Sequence, residues 1–504
     1  MLAEPRRVST AWSALTARER IAMLQKARAC THAAAAEWVR LSVHAKGLAP
    51  GSYLAGEEWI SGPWAVLYAI NRYIRTLEKL ARGSPPLDHR SVRITDDTYA
   101  VDVFPHDLYD RILLPGVRAE VRLQEPKLRF LKTTHAPHAA LILGAGNVSS
   151  IPALDVLYKV LAEDAVCTVK LNPVNEYLRP ILESALAPFV EKGFVRFVSG
   201  GADLGAQLCA NDAIDEIHVT GSIATYHAIK AIAGGKRVTA ELGSVTPTIV
   251  VPGDWSNRDL RFQAENVATQ KAHNAGFNCI AAQILILPQQ WNLKDRFLRE
   301  IESVFQAMEQ RPEYYPGSSQ RRAALGGGDS PLRAIVRLDP RDTSGAFETE
   351  AFCGLLFCVE LPGDAKTFLR DAVALANERL YGTLGANVIV APQTERAMPE
   401  AMERAVSDLR YGCIAINAWA GVGYFLTETP WGAYRDSGDG TGVVHNSYFL
   451  AHTEKSVVRA PFRPLTKPPW FVTNKQQANI GRVLSDFETA RSPLNALRVM
   501  IAAL

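Results

Sequence analysis

Leu141-Ile142-Leu143-Gly144-Ala145-Gly146-Asn147 decides the fold class of this chain. An apolar run ends there in a glycine-containing turn that carries a side-chain amide. To its C-terminal side, short apolar runs alternate with helical patterns. Strands are predicted over 139–143, 166–171, 195–198, 216–219, 237–241 and 248–251, and helices over 151–161, 182–191, 204–209 and 223–233. Such alternation predicts a parallel α/β sheet covered on both faces. Ligands of such sheets gather at the carboxyl ends of the strands. Lys170, Thr220 and Glu241 fall at such ends.

A second α/β pattern follows from 259 to 426. It has helices over 260–272 and 293–308, strands over 283–287, 357–360, 387–390 and 413–416, and a polar, glycine-rich passage over 312–330. To the N-terminal side, residues 9–43 and 57–81 repeat apolar residues at helical spacing. Around 101–104 and 117–123 apolar and charged residues alternate, which marks strands with one wet face. Their exposed edge needs a cover. Pairing with a partner chain and pairing within the same chain both supply one. A strand over 457–460, a proline-rich stretch over 461–469 and a helix over 475–504 complete the chain.

The totals narrow the function class. With 55 Lys and Arg against 52 Asp and Glu, the net charge of +3 over 504 residues gives no reason to expect a nucleic-acid or membrane-surface partner. The seven cysteines are scattered and form no CxxC pair, so neither a zinc ribbon nor a disulfide framework is predicted, and no metal site is expected. This usage suits a reducing cytoplasm. No secretory leader and no transmembrane run of about 18 apolar residues is expected.

Three stretches carry chemistry. His273-Asn274-Ala275-Gly276-Phe277-Asn278-Cys279 places a thiol after a glycine turn, just before the buried run 284–287. Loops on rigid scaffolds tend to carry function, whereas a free cysteine is more often a small buried hydrophobe. Glu241, within Thr239-Ala240-Glu241-Leu242-Gly243, is a carboxylate among apolar neighbours, suited to a base or to an internal ion pair. Asn147 taken alone reads as a cap for the helix that follows. Thiol, carboxylate and amide together are the parts of a covalent route through an oxyanion.

From Leu141 to Val458 these motifs, in this order, resemble the aldehyde dehydrogenase superfamily. The resemblance implies Cys279 as nucleophile in Gly276-Phe277-Asn278-Cys279, and Glu241 as general base in Glu241-Leu242-Gly243-Ser244-Val245-Thr246-Pro247. It also implies Asn147 as oxyanion donor. Cofactor contacts are implied at Lys170, at Gly221 and Ser222 in Val219-Thr220-Gly221-Ser222, and at Glu350 and Phe352 in Glu350-Ala351-Phe352-Cys353-Gly354. The chain departs from the family pattern at Ser244, at Val148-Ser149 after the amide, at Tyr226 where a second glycine stands, and at Cys353. Pro173 occupies the place of a ribose-binding Glu, which leaves NAD or NADP as the cofactor. Residues 377–384 and the segment Pro430 to Gly438 match further family segments, read as structural or substrate-loop parts.

The implied fold is α/β and aldehyde dehydrogenase-like: a Rossmann-like cofactor domain (1–100 and 128–251), an α/β catalytic domain (252–444) and a small β oligomerisation arm (101–127 and 445–470). Residues 471–504 form a C-terminal extension of unassigned role. The arm implies a homodimer or homotetramer. The implied reaction is NAD(P)-dependent oxidation of a small-molecule aldehyde to an acid, released by water. An acylating relative that uses coenzyme A and a non-catalytic relative are the two rivals. Trp419, Tyr424, Phe425 and Trp431 fall where the family lines its substrate tunnel, which points to an apolar aldehyde, although core packing accounts for them equally well.

Overall fold

The structure is a computed structural model and describes residues 5–95, 97–131, 136–328, 333–341, 345–435 and 445–503. Two sheets carry the architecture. In the first, five parallel strands run in the order Val195–Val198, Ala165–Lys170, His138–Leu143, Glu216–Gly221, Arg237–Leu242. The crossover helix Ile151–Leu161 is buried along its whole length between this sheet and helix Ala65–Ala81. That double burial explains why its sequence is apolar apart from Asp155, Tyr158 and Lys159.

The second sheet has ten strands. Its middle is parallel: Thr453–Arg459, Cys413–Ile416, Gly385–Ile389, Thr246–Val250, Ala282–Pro288, Leu355–Leu361 and Ala334–Leu338. Strand Thr246–Val250 is a correction, because the alternating pattern groups it with the first sheet. Instead it pairs with Gly385–Ile389 and Ala282–Pro288. Pro247 cannot donate to the ladder, and the register shifts between Thr246 and Pro247.

The arm strands continue this ten-stranded sheet. Tyr99–Phe104 and Arg118–Leu123 are antiparallel neighbours, and Arg118–Leu123 pairs with Thr453–Arg459. Thr453–Arg459 in turn lies parallel to Cys413–Ile416 of the same chain. Within the chain the arm thus has strand neighbours of its own on the catalytic sheet. Charged groups fasten the arm there. Lys455 Nζ donates to the carbonyls of Val406, Ser407 and Leu409 at 3.2, 2.7 and 2.7 Å. Arg122 reaches Glu403 at 2.7 Å, and Arg459 reaches Glu395 at 2.8 Å.

Helical boundaries follow local chemistry. The first predicted helix is two, Pro5–Ser13 and Ala17–Ala45, and the second starts at a Thr16–Glu19 capping box. Gly62 and Pro63 break the next helix into Ala55–Trp59, a wide turn over Ile60–Trp64, and Ala65–Ala81. The predicted final helix is also two, Gln477–Thr489 and Pro493–Ala502, because Pro493 can open a helix but not continue one. The extension packs Phe487 and Ile480 into the main core. It crosses Ala55–Trp59 at glycine contacts: a Cβ on Gly56 would overlap the backbone of Gln477, and one on Gly481 would overlap Trp59.

Among the described residues, no helix is long and apolar enough to cross a membrane, and no group of three His, Cys, Asp or Glu is placed to hold a metal ion.

Candidate active site

Helix Asn257–Ala272, capped by Ser256, delivers the chain to the nucleophile turn. Asn274, Ala275 and Gly276 are left-handed there, with φ of 53°, 57° and 85°. Only glycine fits the last position, since a Cβ on Gly276 would overlap the carbonyl of Cys353. Cys279 follows, and strand Ala282–Pro288, buried throughout, anchors the far side.

The Cys279 thiol donates to Glu241 Oε1 at 3.5 Å. Glu241 ends its strand of the first sheet and is 2% exposed. Its Oε1 also accepts from Trp431 Nε1 at 3.0 Å, while Oε2 is buried without a partner. Asn147 does not cap the helix as its sequence suggests, because Ser150 holds the position before Ile151. Instead Asn147 Nδ2 donates to Phe277 O at 2.9 Å, which draws the amide to the nucleophile turn.

Burial raises the Glu241 carboxyl, partly offset by the hydrogen bonds from Trp431 and Cys279. Burial also pushes the Cys279 thiol well up, and the nearby Glu241 and Glu350 carboxylates add to this. Cys279 keeps some surface on the cavity wall but is otherwise enclosed by protein.

Glu241 and Cys279 share one cavity of about 850 Å³. Asn147, Lys170, Gly221, Ser222, Glu350 and Phe352 line the same cavity, so the structure brings all eight predicted site residues to one cavity. A volume in this range fits a small-molecule or cofactor site. Ser222 caps helix Ile223–Ile232 by accepting from Thr225 N at 3.2 Å. Ser222, Ile223 and Thr225 at that helix start line the cavity. Tyr226 does not obstruct it; its ring turns away into the core with Leu141 and Ile217. Asn172, before Pro173, caps the turn Pro173–Leu178, and the Glu176 carboxylate accepts from Gly200 N at 2.9 Å.

At the other end of the cavity, Glu350 is packed so closely that a Cβ on Gly243 would overlap its carboxylate. Burial pushes Glu350 up to about 8, against the pull of Arg321 and Lys271. Burial likewise brings Lys271 down to about 8. Glu350 Oε1 is buried without a partner and lies on the cavity wall, so it is free for a ligand.

The expected tunnel aromatics are all buried: Trp419, Tyr424, Phe425 and Trp431 are 3%, 7%, 9% and 1% exposed. Trp419 and Phe425 line two separate small cavities of about 60 and 50 Å³, neither of which reaches Cys279. Trp431, expected as a tunnel or core aromatic, instead donates to Glu241, a contact that sequence reasoning missed. It is 190 positions from Glu241, and nothing in its local sequence marks it as a partner of that carboxylate. Residues 436–438 of its segment lie outside the described residues.

Comparison with known proteins agrees with this geometry. Residues 177–316 match the model of the aldehyde dehydrogenase family. A betaine aldehyde dehydrogenase of Bacillus subtilis is 25% identical over 287 residues, covering 50% of this chain and 54% of that protein. An N-succinylglutamate 5-semialdehyde dehydrogenase of Sphingopyxis alaskensis is 30% identical over 178 residues, covering 34% and 35%. The matched stretch thus spans about half the length of the first relative and about a third of the second. In shape, an NAD-dependent aldehyde dehydrogenase from Sinorhizobium meliloti aligns with a TM-score of 0.62 at 17% identity over 93% of this chain and 87% of that one. The gamma-glutamyl-gamma-aminobutyraldehyde dehydrogenase of Burkholderia cenocepacia aligns at 0.60 and 18% identity over 92% and 88%. The fold is that of the aldehyde dehydrogenases. Within that fold, residues 177–316 are the part that matches the aldehyde dehydrogenase family by sequence.

Proposed function

We propose that the protein oxidises a small-molecule aldehyde to the carboxylic acid with NAD or NADP. The observation that carries this reading is the 3.5 Å contact between Cys279 Sγ and Glu241 Oε1, in one cavity with Asn147. Cys279 gives up its proton to solvent through the cavity, and the sulfur adds to the aldehyde carbon. The second N–H of the Asn147 amide is suited to hold the developing oxyanion. When bound, the nicotinamide cofactor accepts the hydride that leaves this carbon. The resulting thioester on Cys279 is then cleaved by water, which Glu241 deprotonates.

The residues present fit a dinucleotide. The helix start at Ser222 suits a pyrophosphate, Lys170 lies at the ribose end, and the unpartnered Glu350 Oε1 offers an acceptor at the nicotinamide end. Pro173 in place of a carboxylate leaves NADP open beside NAD, with Lys170 on the cavity wall and the Glu176 carboxylate acting on its charge. Seven free cysteines suit a reducing compartment, in keeping with a cytoplasmic location.

The test follows absorbance of the reduced nicotinamide with NAD+ and NADP+ over a panel of aldehydes. Turnover that disappears in Cys279→Ala supports the reading. Turnover that survives in this variant at the native rate contradicts it.

A further inference from the structure

Behind the nucleophile turn lies a group of buried charges that the proposed chemistry does not use. Glu57 and Glu58 sit on Ala55–Trp59, Lys46 ends helix Ala17–Ala45, and Arg311 follows helix Lys294–Ala307. None is more than 3% exposed. Lys46 Nζ donates to both Glu58 oxygens at 3.0 and 2.9 Å. Arg311 pairs with Glu57, and with Glu58 at 3.1 Å. Two cations thus neutralise two anions in the interior, the condition under which buried charge is tolerated.

This quartet reaches forward to the site through Asn274. Glu57 Oε2 accepts the backbone N–H of Asn274 at 2.8 Å, and Lys46 Nζ donates to Asn274 Oδ1 at 3.1 Å. Tyr314 OH lies 3.0 Å from Asn274 Oδ1 and 3.1 Å from Asn147 O, able to donate to either. Asn274 Nδ2 donates to Asn147 O at 2.9 Å and to Phe277 O at 3.0 Å, the carbonyl that Asn147 itself holds. Asn274 and Ala275 are left-handed, a conformation that side-chain-bearing residues keep only where surroundings over-determine it.

We propose that Glu57, Lys46 and Tyr314 are positioning residues that hold this left-handed turn and so fix Cys279 and Asn147 relative to one another. Their importance for turnover rests on the function proposed above; their hold on the turn does not.

The test compares the full-length protein with Tyr314→Phe, Glu57→Gln and Glu57→Leu. Tyr314→Phe removes the hydroxyl and leaves the quartet intact. Glu57→Gln keeps an acceptor for the Asn274 N–H, whereas Glu57→Leu removes it and leaves Arg311 paired with Glu58 alone. The readouts are hydrogen exchange of the peptide spanning 273–281, kcat, aldehyde KM and the Kd for NAD+. Exchange in that peptide is expected to quicken in Tyr314→Phe and Glu57→Leu, and less in Glu57→Gln. With it, kcat is expected to fall about 10–100-fold while KM and Kd stay within about twofold, since a small displacement of reacting groups costs on this scale. Unchanged exchange in all three variants overturns the proposal. Faster exchange with native kcat also overturns it, reducing the quartet to a packing element. If the native protein turns over no aldehyde, exchange together with the rate of Cys279 alkylation by iodoacetamide decides the matter, and that failure falls on the function alone.

Discussion

At the scale of residues, the site works through a carboxyl held between two donors. Trp431 donates to Glu241 Oε1 and pulls its pKa down against burial. Removing that N–H in Trp431→Phe leaves the carboxyl higher still. A group raised in this way stays protonated to higher pH, so the acidic limb of the pH–kcat profile is expected to move toward higher pH. A profile that coincides with the native one contradicts this role. Asn147→Ala is expected to raise the barrier by about 3 kcal/mol, the usual cost of an oxyanion donor, read as a fall in kcat with KM little changed. The residues of the site were legible in sequence because the glycine turns and the strand ends each mark themselves locally. Trp431, Asn274 and Tyr314 were not, since each acts on a group brought near only by folding.

At the scale of elements, close helix crossing is the deciding feature of the C-terminal extension. Gly481 faces Trp59, and Gly56 faces Gln477, with no room for a side chain between them. Gly481→Val is expected to destabilise the protein by about 1–3 kcal/mol through overpacking, read by urea or thermal unfolding. An unchanged unfolding midpoint contradicts so tight a crossing. The extension read from sequence as one helix because apolar spacing continues across residue 490. What divides it is the opening preference of Pro493 and the Ser492 hydroxyl, which accepts from Asn495 N at 3.2 Å. Strand Thr246–Val250 went to the other sheet for a related reason: an apolar run shows that a strand is buried but not which sheet buries it.

At the scale of the whole molecule, the arm shows how far the sequence pattern reaches. Period-two alternation over 101–104 and 117–123 correctly marks one wet face but carries no information on which chain supplies the neighbour. Here Thr453–Arg459 lies on Cys413–Ile416 of the same chain, and Lys455 saturates the carbonyls beneath it. Light scattering separates the single-chain mass of 55.2 kDa from that of the homodimer or homotetramer the resemblance implies. A stable dimer that Lys455→Glu dissociates would show that the strand is exchanged between chains.

The central claim concerns the bond formed at Cys279, and peptide mass spectrometry of Glu241→Gln reads it most directly. This variant keeps the thiol and the cavity but lacks the base for water, a loss worth about 10²–10⁴-fold in general-base catalysis. Mixed with an aldehyde and NAD+ or NADP+, it is expected to give a burst of about one reduced nicotinamide per chain. The peptide carrying Cys279 is then expected to gain the mass of the acyl group. An unmodified Cys279 peptide alongside continued nicotinamide reduction would contradict the account.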